Sequence, residues 1–256
     1  MNTITKALLI TSILFISNFS YSQPHFYHPN SGVKISFGLN DNMFPKSWTE
    51  GDINGQAKAL SPKEYKRSKR IIIEALDKYP VEILKQNLSE VYILNSLMFY
   101  NQVYGGTNSN NNVYLVNSGK LDGYSDEYVE QLFHAEFSSI LLRNYSNENF
   151  ESKWEQINKN DFQFGKGGVD EIKTGKASTD FLPEYFKKGF LYQYAMSGLE
   201  NDFNSISKNL FCPNNSLWKK AYRYQKIKLK IILTIDFYNN ISDTFNIEYF
   251  KEFEKE

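Results

Sequence analysis

The sequence predicts an α+β protein, with a small, partly antiparallel sheet beside one central helix and a mostly helical C-terminal half. Two short runs rich in β-branched and aromatic residues, at 90–100 and 113–117, lie close together in the first half. A capped amphipathic stretch follows at 125–144, and helical periods dominate from residue 183 onward. Hydrophobic residues make up 41% of the 256 positions, charged residues 23%, and the formal net charge is zero. That balance describes a folded chain with an ordinary core and excludes a disordered or strongly basic nucleic-acid-binding chain. The 18 Tyr and 20 Phe are read first as packing residues and second as an aromatic platform for sugars or peptides.

Residues 1–22 read as a signal peptide. Lys6 precedes the apolar run Ala7 to Ile16, and Ser20 and Ser22 flank Tyr21, which places cleavage before Gln23. The run is too short for a comfortable membrane span, so the mature chain carries no transmembrane segment. The expectation is export across the inner membrane, to the periplasm, the outer-membrane periphery or the medium. No Cys lies near the cleavage point, which argues against a lipid anchor. Cys212 is the one Cys, so an intramolecular disulfide is excluded and stability must come from the core.

Residues 23–60 are rich in Asn, Gly and Pro and read as an extended N-terminal segment with short strands at most; residues 61–256 read as the folded domain. Ser61-Pro62-Lys63-Glu64 has the composition of a helix start, with Ser61 as cap, and the helix is predicted to reach Lys78 before Tyr79-Pro80 ends it. A strand over 90–100 precedes a Gly/Asn-rich loop over 101–112, then a second strand at 113–117, which suggests a hairpin or edge pair. Gly105-Gly106 reads as a plain turn and lacks the lysine and helix start of a phosphate loop. Ser125 caps the central helix, with Asp126 and Glu127 in its first turn, where the helix dipole favours acids. Shorter helices are predicted at 149–158 and 169–173. A second long helix runs from Tyr192 to Leu210, and final helices cover 216–239 and 248–256. Lys219, Lys220, Lys226, Lys228 and Lys230 read as a solvated face of the first of these.

The chemistry-bearing stretch is Phe133-His134-Ala135-Glu136-Phe137-Ser138-Ser139. A zinc-peptidase helix of the His-Glu-x-x-His type holds its metal on two His four residues apart and activates water with the intervening Glu. Glu136 stands at the Glu position, while Ala135 and Ser139 stand at the ligand positions. Glu136 shares a face with Leu132, Phe133 and Ile140, and an acid in an apolar stripe must be paired, hydrated in a cleft or protonated. It is therefore either a base lining a cleft or a carboxylate paired structurally. His134 is a weak metal candidate, and His25 and His28 could chelate only as part of a terminal segment. Glu200 and Asp202 are further weak metal candidates, although acids at a helix start usually serve as dipole partners. No Gly-x-Ser-x-Gly elbow is present.

These segments together resemble the family of putative zinc-binding metallopeptidases of the bacterial cell envelope, which is often associated with outer-membrane nutrient import. The resembling parts are Tyr104-Gly105-Gly106-Thr107 with the following strand, the run from Gly123 to Leu142, and Gly189 through Phe211. The resemblance implies a zincin-like fold with a cleft between the sheet edge and the second helix. It implies Glu136 as the base position, Tyr194 as a residue able to assist an oxyanion, and Ala135, Ser139 and Ser205 at the three zinc-ligand positions. With those ligands substituted, the leading expectation is a catalytically inactive relative that needs no cofactor. It would bind a peptide or glycan, or dock to an import complex. The alternative is an active metallohydrolase with a non-standard zinc site using His134, Glu136 and Glu200 or Asp202. A purely structural helical protein is the third reading.

Overall fold

The computed structural model describes residues 24–158, 162–165, 167–212 and 217–254. The expected signal peptide lies outside these residues. In chain order the described elements are β1 (His25–Tyr27), β2 (Lys34–Ser36), α1 (Lys46–Thr49), β3 (Gln56–Ala59), α2 (Tyr65–Leu76), α3 (Val81–Asn87), β4 (Glu90–Phe99), β5 (Gln102–Tyr104), β6 (Gly106–Asn108) and β7 (Asn112–Val116). The helical half follows as α4 (Asp126–Tyr145), α5 (Glu148–Gln156), α6 (Gly168–Lys173), α7 (Pro183–Lys188), α8 (Leu199–Phe211), α9 (Leu217–Arg223), α10 (Gln225–Ile241) and α11 (Ile247–Lys251). This is the expected α+β arrangement. No described helix is long and apolar enough to cross a membrane.

The ten-residue β4 organises the sheet, whose order is β1-β2-β4-β7-β6. Its N-terminal half pairs in parallel with β2 and β7, and its C-terminal half pairs antiparallel with β3 and β5. The two strands read from the sequence, β4 and β7, are thus parallel neighbours instead of a hairpin. The stretch read as a loop contains β5 and β6. Tyr100 and Asn101 both take positive φ, 53° and 57°, as the two-residue turn of a type I′ hairpin requires. β6 runs antiparallel to β7 and closes one end of the sheet, with Thr107 opposite Tyr114 and Asn108 opposite Val113. Gly106 sits in this strand instead of in a turn.

Both faces of the sheet are covered. Val91, Ile93, Val113 and Leu115 face the main core with α2 and α4, while the alternate residues Tyr92, Leu94, Tyr114 and Val116 face a second core. Met43, Phe44 and Trp48 from the N-terminal segment build that second core, with Tyr92 stacked on Tyr114 at a ring separation of 5.1 Å. Strands buried on both faces read as continuous apolar runs, as Val113-Tyr114-Leu115-Val116 does. Each such side chain withdrawn from water contributes about 1.5–3 kcal/mol. The segment expected to be merely extended therefore carries half of the sheet's cover.

Other boundaries moved for local reasons. Ser61 makes no side-chain cap bond, and residues 62–64 form a 3-10 turn before α2 begins. The helix expected from Tyr192 begins as a 3-10 turn at 193–197, and α8 starts only after the extended Gly198. The helix expected at 216–239 breaks at the extended Tyr224 into α9 and α10; its expected first residue, Ser216, lies outside the described residues. Lys230 is not on a solvated face. It is fully buried, with Nζ 2.7 Å from Asp202 Oδ2 and donating to Gly189 O at 2.7 Å.

Candidate functional site

α4 is built as expected at its start. Ser125 Oγ accepts from Tyr128 N at 3.1 Å, and Asp126 and Glu127 occupy the first turn. The helix lies between the sheet and α8, so most of its circumference is covered. The two sides of the Glu136 stretch consequently do different work.

On one side, His134 is fully buried and stacks on Phe211 at 4.9 Å. Burial pulls its pKa down to about 4, so at neutral pH the ring is uncharged. Its Nδ1 lies 2.9 Å from Tyr79 Oη and its Nε2 lies 3.4 Å from Glu130 Oε1. The neutral ring therefore accepts from the tyrosine and donates to the carboxylate. Burial disfavours the charge on Glu130, yet His134 and Lys78 hold its pKa down to about 2. These partners place His134 in the helical core, on another face from Glu136.

On the other side, Glu136 lines a cavity of about 350 Å³ enclosed by β6, α4, α8 and the turn carrying Tyr192 and Tyr194. Asn108 Nδ2 donates to Glu136 Oε2 at 2.6 Å. Gly106 lets the strand come this close: a Cβ there would stand 2.9 Å from Glu136 Oε1. Burial raises the Glu136 pKa to about 7; Asn108 opposes the rise and Glu200 adds to it. A carboxyl in that range can both take and give a proton at neutral pH. Tyr194 also lines the cavity, and burial pushes its phenol well above the usual range, so it stays protonated.

α8 supplies the opposite wall through Glu200, Asn204 and Lys208, four residues apart on one helical face. Asn204 is the pivotal contact. Its Nδ2 donates to Ser139 Oγ at 2.7 Å, and its Oδ1 accepts from Ser138 Oγ at 2.9 Å. Ser205 is buried behind that face, donating to Asp202 O at 2.7 Å. Asp202 is fully buried, bonded to Trp154 Nε1 at 2.9 Å as well as to Lys230. Glu200 is exposed at the rim, 3.8 Å from Arg143 Nη1. His28 is equally committed. It is buried, with Nδ1 2.7 Å from Ser31 Oγ and Nε2 3.0 Å from Asp77 Oδ1.

The structure thus brings together Glu136, Tyr194, Glu200, Ala135 and Ser139 of the residues singled out in the sequence, and sets His134, Asp202 and Ser205 elsewhere. Sequence reasoning missed Asn108, Asn204, Lys208 and Arg143. The spacing of Glu200, Asn204 and Lys208 was the signal that could have found two of them. The donor chemistry at the three facing positions does not fit zinc. Ala135 ends in a methyl group, and the polar atoms of Ser139 and Asn204 are bonded to each other. Among the described residues no three His, Cys, Asp or Glu side chains gather as a metal-holding group.

No protein-family model and no curated protein sequence matches the chain. The fold is similar to a crystal structure from Bacteroides caccae described as a putative zinc-binding metallo-peptidase. That likeness has a TM-score of 0.51 at 15% identity and covers 72% of each chain. At that identity the likeness is one of fold: the chain has a distant metallopeptidase-like architecture.

Proposed function

We propose that this chain is an exported zincin-fold protein in which a polar bridge replaces the metal centre, and that its cleft binds extended peptide without metal-dependent hydrolysis. The observation that carries this reading is Asn204 joined to Ser139 and Ser138, which closes the two helices together at Ser139, one of the positions where the family resemblance expects a metal ligand. β6 favours peptide over glycan. It ends the sheet beside Glu136, and an edge strand offers main-chain groups to an added strand. Export rests on the processing segment at 1–22, and an accessory role beside an outer-membrane import complex rests on the family resemblance.

A second reading, a hydrolase with a non-standard site, draws on the Glu136 carboxyl, whose pKa of about 7 suits general acid–base work. Mixed peptides offered to the purified protein, with and without added zinc, separate the two. Saturable binding with intact peptide after prolonged incubation supports the binding protein. Cleavage abolished by Glu136→Gln supports the hydrolase.

A further inference from the structure

We propose that the cleft reads both ends of a short free peptide, seating its ammonium between Glu136 and Glu200 and its carboxylate at Lys208. This rests on the reading of the cleft as a peptide site and names the class of peptide.

Charge is ordered along α8. Glu200, Asn204 and Lys208 all line the cavity from one helical face, as acid, amide and base. At 1.5 Å per residue, the first and last lie about 12 Å apart along the helix axis. An extended chain covers about 3.4 Å per residue, so that interval matches roughly three residues. The cavity, about 350 Å³, has room for a ligand of that size.

The two ends differ in what they lack. At the acidic end Glu136 feels Glu200 as a like charge. Arg143 and Lys208 both favour the Glu136 charge, but Arg143 reaches Glu200 only at 3.8 Å and already donates to Asn108 Oδ1 and Ser109 O. A primary ammonium between the carboxylates would relieve the repulsion and supply charge-assisted hydrogen bonds. At the basic end Lys208 Nζ lies 4.9 Å from the Tyr192 ring centroid, and Glu136 acts on it only as a charge across the cleft. Burial disfavours its charge, which a ligand carboxylate would restore. Between the ends, Asn204 is occupied by Ser138 and Ser139. The middle of the peptide would therefore pair with the main chain of β6, leaving discrimination to its termini.

Calorimetric titration with Ala-X-Ala tripeptides, with X varied across residue types, tests this. Each peptide is used free, N-acetylated, C-amidated and doubly capped. The expected result is at least a tenfold loss of affinity for each cap on the wild-type protein. The acetyl penalty should shrink in Glu200→Gln and the amide penalty in Lys208→Gln, as coupled groups do in a double-mutant cycle. If free and capped peptides bind the wild-type protein within twofold of each other, the termini are not read and this inference fails while the peptide site stands. If no tripeptide binds in any form but longer peptides do, the inference likewise fails alone. If no peptide of any length binds, both readings fail.

Discussion

Asn108 stands between Glu136 and Arg143, donating through Nδ2 to the carboxylate at 2.6 Å while its Oδ1 accepts from the Arg143 guanidinium at 2.6 Å. Neighbours of opposite character at the two ends of the amide fix which way it points. The edge strand is thereby tied to the central helix at Glu136, the acid that α4 presents to the cleft.

Replacing that amide should change the acid. Asn108→Leu keeps the bulk and removes the donor that favours ionised Glu136. The Glu136 pKa should rise above its present value of about 7. Carbon-detected NMR titration of the Glu136 carboxyl reads this directly, and an unchanged or lower value would show that the bond contributes nothing.

Glu136 should also impose a pH dependence on stability. Its folded pKa, about 7, exceeds the ordinary 4.5. Between those values the folded chain keeps a proton that the unfolded chain releases, so stability falls as pH rises through this window. Glu136→Gln should gain on the order of 1–3 kcal/mol above pH 7 and nothing below pH 4.5, the figure being reduced because cleft water reaches the carboxylate. Denaturant unfolding at pH 4 and pH 8 measures the difference.

Much of the fold was legible because it is written locally. Ser125, the acids after it and the apolar spacing of Val129, Phe133 and Ile140 mark α4 within a few residues of chain. β4 and β7 announce themselves by apolar content. β5 and β6 do not, because Gly106, Thr107 and Asn108 form a strand only through β7 beside them. The cleft was half legible. Glu136 stood out as an acid in an apolar stripe, and Tyr194 came from the resemblance. Asn204 belongs to no motif; only the turn of the helix, which brings Asn204 to Ser139 and Ser205 to the core, places it in the cleft. Lys230 was misread because its partner, Asp202, lies on a different helix, and helical period says nothing about such pairs.

That pair yields a stability prediction. Asp202 and Lys230 are both fully buried, and burial lifts the Asp202 pKa to about 6 against the pull of Lys230. Lys230→Met should destabilise by about 3–5 kcal/mol, since it strands a carboxylate in the core. Adding Asp202→Leu should recover most of the loss. Urea unfolding midpoints of the two variants decide it. A single variant as stable as the wild type would mean that the ion pair does not form.

The facing positions can be tested by refilling them. Ala135→His and Ser139→His combined with Asn204→Glu should bind zinc, because Asn204 already touches Ser139 across the helix interface. The same two histidines with Ser205→Glu should bind at least tenfold more weakly, since Ser205 points into the core. Calorimetric zinc titration compares the two triple variants.

Asn204 bridges to Ser138 and Ser139, the contact proposed above to replace a metal centre. The most direct measurement is zinc per chain in the purified wild-type protein, followed by zinc titration of the chelator-treated protein. Substoichiometric zinc and no tight equimolar site are expected. One zinc per chain, bound tightly and lost together with peptide cleavage in Glu136→Gln or His134→Gln, would contradict the proposal.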